Sequence, residues 1–285
     1  MSEHDEHIVE VAGRCRVVIR NGRVVEVGTP QIDDCPLARR FACPVLEMTP
    51  EAVRLNIEGR IRSFGMCTPE REVLAGPDFV IFGASELLSS AVRRGDLDAA
   101  VIVSDGAGTL VATNPALIHG IGGRMSGLVS TSPIPGVIAR IEENGGTVLD
   151  PATAAIDQIA GVARAVELGH RRIAVTIAVA SEAAAIREQF PDTVIVAVHT
   201  TGISQDDAVL MARSADLVTA CASRHIREVA AKTALLQAGT SIPVFAMTPA
   251  GKAIILGKVG ETDQQIIVHG ARLPVPGSQS PSPLR

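Results

Sequence analysis

Aromatic side chains are nearly missing from this chain: its 285 residues include six Phe and neither Trp nor Tyr. A core without large rings has to be filled by Ala, Val, Ile and Leu. A surface without them also lacks the stacking platforms that hold single-stranded nucleic acid. An excess of positive charge is missing as well. The net charge of -5, with no face-long cluster of Lys and Arg, excludes binding that works by neutralising phosphates. No apolar run reaches the roughly 18 to 20 residues of a membrane span. The opening stretch MSEHDEHIVE is acidic and polar, unlike a signal or transit peptide. The expectation is a cytoplasmic protein whose partners are neither nucleic acid nor membrane.

Close cysteine spacing is a further absence. Five cysteines stand at 15, 35, 43, 67 and 221, an odd number with no C-x-x-C pair. That excludes the dense disulfide framework of a small secreted domain. Neither common phosphate fingerprint is complete. Read from Gly120, the dinucleotide pattern G-x-G-x-x-G needs glycine where Met125 stands, and Ala250-Gly251-Lys252 lacks the upstream glycine of a P-loop.

What is present divides into two styles. From Arg16 to Val27, two β-branched runs flank Asn21-Gly22, a pair suited to the positive φ angles of a two-residue hairpin turn. Thr49-Pro50-Glu51 supplies an N-cap, a first-turn proline and an acid that complements the helix dipole. Val53, Ile57, Ile61 and Phe64 then recur at helical spacing, which predicts a helix from about Pro50 to Phe64. The same signature at Thr68-Pro69-Glu70 predicts a second helix just after Cys67.

From residue 78 onward, short apolar runs such as DFVIF, DAAVIV, RIAVTIAVA, TVIVAVH, DLVTACA and IPVFAM alternate with helical stretches, the last of them RHIREVAAKTALLQAG. Strands this continuously apolar imply burial on both faces. The expected fold is α/β: a mostly parallel sheet with helices on both faces, a Rossmann-like three-layer sandwich, plus a small N-terminal β-hairpin and helix annex. The expected division is an annex over 1–77, an α/β domain over 78–272 and a disordered Pro- and Ser-rich tail over 273–285.

Chemistry is expected at strand carboxyl ends, where open α/β sheets bind ligands. The stretch Ser104 to Pro135 reads as a long loop after a strand, and glycines at 106, 108, 120, 122, 123 and 127 would let backbone amides approach an anion. Asp105, Gly106, Gly108, Gly120, Gly122, Gly123, Arg124, Ser130 and Thr131 are the candidate ligand-binding residues, with Ser126 and Ser132 as further donors. Turn formation alone explains many of these glycines equally well, and Asp105 before Gly106 also reads as a turn residue. Asp105, His199 and Cys67 are the candidate catalytic groups. His225, near a helix start, is a weaker one.

Cys67 precedes a predicted helix start, where free amides and the dipole stabilise thiolate. Cys35 and Cys43 each precede a proline. Cys35 and Cys67, with or without Cys43, are the candidate metal ligands for an iron-sulfur cluster or zinc, although inert thiols are the more frequent outcome for such spacing. Cys15 and Cys221 read as packing residues.

The stretches NGRVVEVGTPQIDDCPL, TPEAVRLNIEGRIRSFGMCTPER, AAVIVSDGAGTLV and HGIGGRMSGLVSTSPIP together resemble the methanogenesis marker protein 8 family over nearly the whole chain. The Cys-Pro-Leu at Cys35 and Gly-Met-Cys-Thr-Pro at Cys67 belong to that resemblance. It implies a cytoplasmic archaeal protein tied to methane formation. The leading expectation is an accessory or maturation protein acting on methyl-coenzyme M reductase, its assembly factors or a methanogenic cofactor. The alternatives are an enzyme of small-molecule metabolism that binds an anionic or nucleotide-like ligand at the Gly-rich segment, and a non-enzymatic partner protein.

Overall fold

A computed structural model describes residues 5–11, 13–41, 44–74, 80–125 and 127–285. The chain opens with strands β1 (Glu6–Val11), β2 (Cys15–Arg20) and β3 (Arg23–Val27), a 3-10 turn at Ala38–Arg40 and helix α1 (Pro50–Phe64). Helix α2 (Ala84–Arg93) leads into β4 (Ala99–Ser104), β5 (Gly108–Ala112), α3 (Pro115–Gly122), β6 (Gly127–Thr131), α4 (Pro135–Glu143) and β7 (Gly146–Val148). The second half alternates α5 (Gln158–Glu167), β8 (Ile173–Ile177), α6 (Ala180–Gln189), β9 (Val194–Ala197), α7 (Gln205–Ser214), β10 (Leu217–Thr219) and α8 (Arg224–Thr233). It closes with β11 (Leu236–Ala238), β12 (Val244–Ala246) and α9 (Pro249–Glu261).

Local chemistry explains the first elements. Asn21 and Gly22 take φ angles of 49° and 69°, so β2 and β3 pair across the two-residue turn. Thr49 accepts a hydrogen bond from the Ala52 amide at 3.1 Å, Pro50 occupies the first helical position, and α1 ends at Gly65 in the left-handed region. A Cβ at Gly65 would meet the Glu70 carbonyl carbon at 2.4 Å, so no other residue fits this stop. The expected second helix does not form. Thr68 to Arg71 make a single turn, closed by Arg71 N–H to Thr68 C=O at 3.1 Å, because the Arg71 side chain is drawn inward to a buried partner rather than left on a helix face.

Two sheets organise the fold. The larger has eight strands in the order β11-β12-β10-β9-β8-β4-β5-β7. Its centre, β4, β8, β9 and β10, is parallel, while β5, β7, β11 and β12 add antiparallel margins. The expectation of a mostly parallel sheet is therefore corrected to a mixed one. An unbroken apolar run reports burial on both faces but carries no signal for strand direction. Both faces are indeed covered: Ala100, Ile102, Val196 and Leu217 pack toward one helical layer with Leu88 and Ile118, and Val101, Val175, Ile195 and Val218 toward the other with Val162 and Met211.

The smaller sheet runs β3-β2-β1-β6 and rests on α1 through Val9, Val17, Ile19, Val53 and Ile57. Its fourth strand comes from the middle of the chain, so the first 77 residues do not build it alone. The stretch from Ser104 to Pro135 is accordingly not a loop: it contains β5, α3 and β6. The helix expected through Gly239 stops at Thr233, since Leu236–Ala238 finds ladder partners on β12. In DFVIF, residues 80–82 form no strand and 78–79 lie outside the described residues.

The C-terminal tail, expected to be disordered, is tied to the body by hydrogen bonds from its backbone to main-chain and side-chain groups. Ser282 bridges Asp34, the Val275 amide donates to Gln237 at 2.9 Å, and the Arg285 amide donates to Ala222 at 2.9 Å. Poor core-forming composition weakens a segment's own folding, but a groove edge with free backbone groups still orders it.

Candidate functional site

The carboxyl ends of the central parallel strands meet the small sheet at two junctions of opposite character. The first follows β4. Asp105 is fully buried, and its carboxylate accepts from the Cys67 amide at 2.6 Å and from Arg71 Nε at 3.0 Å. Arg71, also fully buried, donates through Nη1 to the Glu72 carbonyl at 2.5 Å and lies 5.0 Å from the centre of the Phe64 ring. Next along the chain, the Gly106 amide donates to Thr131 Oγ1 at 2.8 Å, and that oxygen sits 2.6 Å from His7 Nδ1. The other ring nitrogen of His7 approaches Asp5 Oδ1 at 2.7 Å without hydrogen-bond alignment. Burial holds the His7 imidazole below its ordinary value, against the opposing pull of Asp5 and Asp105.

Cys67 belongs to this sealed junction, with its backbone in the left-handed region at φ 57°. Burial pushes its thiol well above the usual range and the Asp105 charge pushes the same way. The expected helix start that would have stabilised a thiolate is absent. A neutral, enclosed thiol neither attacks an electrophile nor ligates a metal readily; Cys67 packs in the core beneath α1 while its amide binds the Asp105 carboxylate.

The second junction follows β9. His199 has φ 57°, and its Nε2 lies 2.8 Å from Glu10 Oε2 on β1. Glu10 also accepts from Arg14 Nε at 3.1 Å, and Arg14 Nη1 donates to the Thr201 carbonyl at 2.9 Å. Hydrogen bonding from His199 is the largest influence on Glu10. Together with Arg14 it outweighs burial and holds the carboxyl below its ordinary value. Gly127 lets β6 pass close by, since a Cβ there would meet the His199 ring at 2.6 Å. The side chains of His199 and Glu10 are 13% and 25% exposed, so this pair, unlike the first, is reachable.

One strand further, Cys221 follows β10 with φ 43° and is half-buried. Its neighbour Ala222 receives the Arg285 amide and donates its own amide to Thr201 Oγ1 at 3.2 Å. Left-handed non-glycine residues are uncommon, and they collect where surrounding contacts hold a site in shape. Here His199 and Cys221 adopt that conformation just beyond the neighbouring parallel strands β9 and β10, and Cys67 does so in the turn that holds Asp105 at the end of β4. Sequence reading assigned Cys221 to packing. The signal that would have corrected it was its position directly after an apolar strand and before the Ser223 cap.

The other expected site residues scatter. Gly120 and Gly122 lie within α3, and a Cβ at Gly122 would meet Ser85 on α2 at 2.9 Å, so close helix packing accounts for Gly122. Gly123 caps α3 against His119. Gly106 and Gly108 have positive φ, and Gly108 abuts the Ala154 carbonyl. Arg124 donates to the Glu72 carbonyl at 3.1 Å and lies 4.9 Å from the Phe64 ring centre. Ser130, Thr131 and Ser132 line a shallow depression of about 500 Å³ in which Arg20 pairs with Glu6. His225 sits on α8 at 3.8 Å from Glu228. The anion-cradling segment is therefore replaced by helix packing and strand pairing. Ser126 lies outside the described residues.

The joint Cys35–Cys67 metal site is not assembled. Cys35 packs with Ile32, Ala38, Val45, Met48 and Ala222, and Cys67 with Val17, Val53 and Ile57 in a different cluster. Burial raises the Cys35 thiol too. Among the described residues no group of three His, Cys, Asp or Glu is placed to hold a metal, and Cys43 lies outside them. The donor set among the described residues does not fit an iron-sulfur cluster or a zinc ion.

Fold and site together define a mixed-sheet α/β protein whose parallel strand ends are capped by a second sheet. The chain belongs to a family described as an uncharacterized protein conserved in archaea (DUF2099), matched over residues 7–260. It is 42% identical over 283 residues to uncharacterized protein MJ0054 of Methanocaldococcus jannaschii, covering 98% of this chain and 99% of that protein. No solved structure matches the chain. No helix among the described residues is long and apolar enough to cross a membrane.

Proposed function

We propose that the protein is a methanogenesis-associated factor that binds a small ligand at the capped carboxyl edge of β4, β8, β9 and β10, with His199 and Glu10 as its proton-handling pair. The observation that carries this reading is the reachable His199–Glu10 contact at 2.8 Å, held by a left-handed His199 directly beyond a central parallel strand. A methanogen supplies the relative that is 42% identical, which supports the link to methane formation. The short contact between imidazole and carboxylate lets a proton be passed to a ligand held beside it. The cellular setting of this proposal is an accessory role toward methyl-coenzyme M reductase, with the ligand one of its cofactors.

Thermal unfolding of the full chain, purified without oxygen, tests the reading with coenzyme M, coenzyme B and nucleotides. One of them at a hundredfold excess over its Kd should raise the unfolding midpoint by about 5 °C or more, and His199→Ala should lose most of that shift. Failure of every ligand, with stoichiometric co-purification of reductase subunits from a methanogen extract, would overturn it in favour of a protein whose surfaces carry the function.

A further inference from the structure

A groove of about 940 Å³ runs beside β11, the marginal strand of the larger sheet, between α9 and the chain that follows it. It shares no lining residue with the His199 junction. Helix α8 closes just before β11 starts, and the pairing of Leu236 with Ala246 sets the end of β12, and hence the start of α9, beside the same point. Since β11 runs parallel to β10 through their common antiparallel neighbour β12, that point is at the amino edge of the strands. Lys232 on the last turn of α8 and Lys252 in the first turn of α9 therefore flank the groove at the edge opposite to the one that carries His199. Leu235, Leu256, Ile266, Ile267 and Val268 line the groove and are exposed. Ile267 and Val268, at 87% and 81%, are the most exposed large aliphatic side chains among the described residues. A contiguous apolar surface rimmed by charge marks a place of contact with another molecule.

The charge on that rim has one sign, opposite to the net charge of -5 on the whole chain. Lys232, Lys252 and Arg272 line the groove, and among the described residues no Asp or Glu does. Glu228, one turn before Lys232 on α8, faces Arg224 at 4.0 Å and His225 at 3.8 Å instead. Lys252 stands at the positive end of the α9 dipole, in a first turn that holds no acid. A second copy of the chain is a poor complement, because a two-fold contact would set Lys232, Lys252 and Arg272 against themselves. A concave groove also suits a narrow chain better than a flat bilayer.

We infer that this groove docks an acidic, aliphatic-rich segment of a partner protein, its apolar side chains against Leu235, Leu256, Ile267 and Val268 and its carboxylates toward Lys232, Lys252 and Arg272. The surface does not depend on the reading of the His199 junction.

Fluorescence anisotropy with the full-length protein tests it, using a fluorescein-labelled peptide of roughly a dozen residues in which Glu and Leu alternate. This peptide should bind about tenfold more tightly than the same peptide with Lys in place of Glu, because a few exposed ion pairs together are worth about that much. Lys232→Glu combined with Lys252→Glu should weaken binding of the acidic peptide by a similar factor with an unchanged unfolding midpoint. Ile267→Ser combined with Val268→Ser should weaken it too, and because all four side chains are exposed these variants keep the fold. No binding of the acidic peptide, equal binding of the Lys peptide, or wild-type affinity in either double variant would overturn the inference. Co-sedimentation with phosphatidylglycerol vesicles in place of peptide binding would overturn it in favour of a membrane surface. A wild-type dimer that Ile267→Ser with Val268→Ser dissolves would overturn it in favour of a second copy. The His199→Ala variant should bind the acidic peptide normally, so the two sites stand or fall apart.

Discussion

The two junctions between the small sheet and the central strands join the same layers with opposite chemistry. At Asp105 every participant is enclosed: Arg71, Asp105 and Cys67 have no exposed surface, and the hydrogen bonds converge on one carboxylate. At His199 the partners keep part of their surface in water. The difference separates a keystone from a site. A sealed ion pair fixes how the sheets dock, because taking away either partner leaves a charge with no compensation. A half-open pair has the mobility and proton access that chemistry needs.

The largest expected effect breaks the keystone. Arg71→Leu leaves Asp105 buried without its partner and should lower stability by about 3–5 kcal/mol in urea unfolding. Adding Asp105→Asn should restore part of it, the mark of a coupled pair. An additive double variant would mean that the pair does not hold the sheets together.

A smaller effect is expected at the open junction. Gly127→Val drives a side chain into the His199 ring and should destabilise by about 1–3 kcal/mol. It should also weaken ligand-induced stabilisation more than Arg71→Lys does. Equal loss in both variants would erase the functional distinction between the junctions.

The pH dependence sharpens the contrast further. Glu10 titrates below its ordinary value of 4.5, so its contribution is complete above that pH and is lost as the pH falls through the lower folded value. Glu10→Gln should therefore flatten the acid limb of the stability curve at its low end. His7, held below 6.5 by burial, has the same sign in a higher window. Its contribution is complete above pH 6.5 and is lost as the pH falls from there through the folded value. His7→Gln should flatten the limb in that upper part only, and a curve unchanged in both variants would contradict the assigned shifts.

The smallest effect is in reactivity. In native protein, Cys35 and Cys221, each half-buried, should react slowly with a small disulfide reagent, while Cys15 and Cys67 should react only after unfolding. Rapid labelling of Cys67 in the folded state would dismantle the sealed description of its junction.

Legibility in the sequence followed distance along the chain. Helix α1 was readable to its end residues, because Thr49, Pro50 and Gly65 act on amides within one turn. The Asn21-Gly22 hairpin was equally local. The apolar runs announced a sheet buried on both faces, yet the antiparallel margins depend on which strands become neighbours, and no residue type encodes that. Cys67 looked like a helix-start thiolate because Thr68-Pro69-Glu70 is a genuine local signal, overridden by a carboxylate 38 residues away. The glycines of 120–123 looked like a ligand loop because small residues serve backbone approach and helix packing alike.

By itself, the sequence determined an aliphatic α/β protein, the positions of most of its helices, and a chemistry limited to a few histidines, acids and thiols. Only tertiary structure decided that Cys35 and Cys67 would lie apart. It also decided that His199 would meet a carboxylate 189 residues earlier in the chain, and that one buried salt bridge would close the sheets together. The physical reason is range: caps, turns and periodicity act over a few residues, whereas the pairing of buried charges is settled by how whole layers pack.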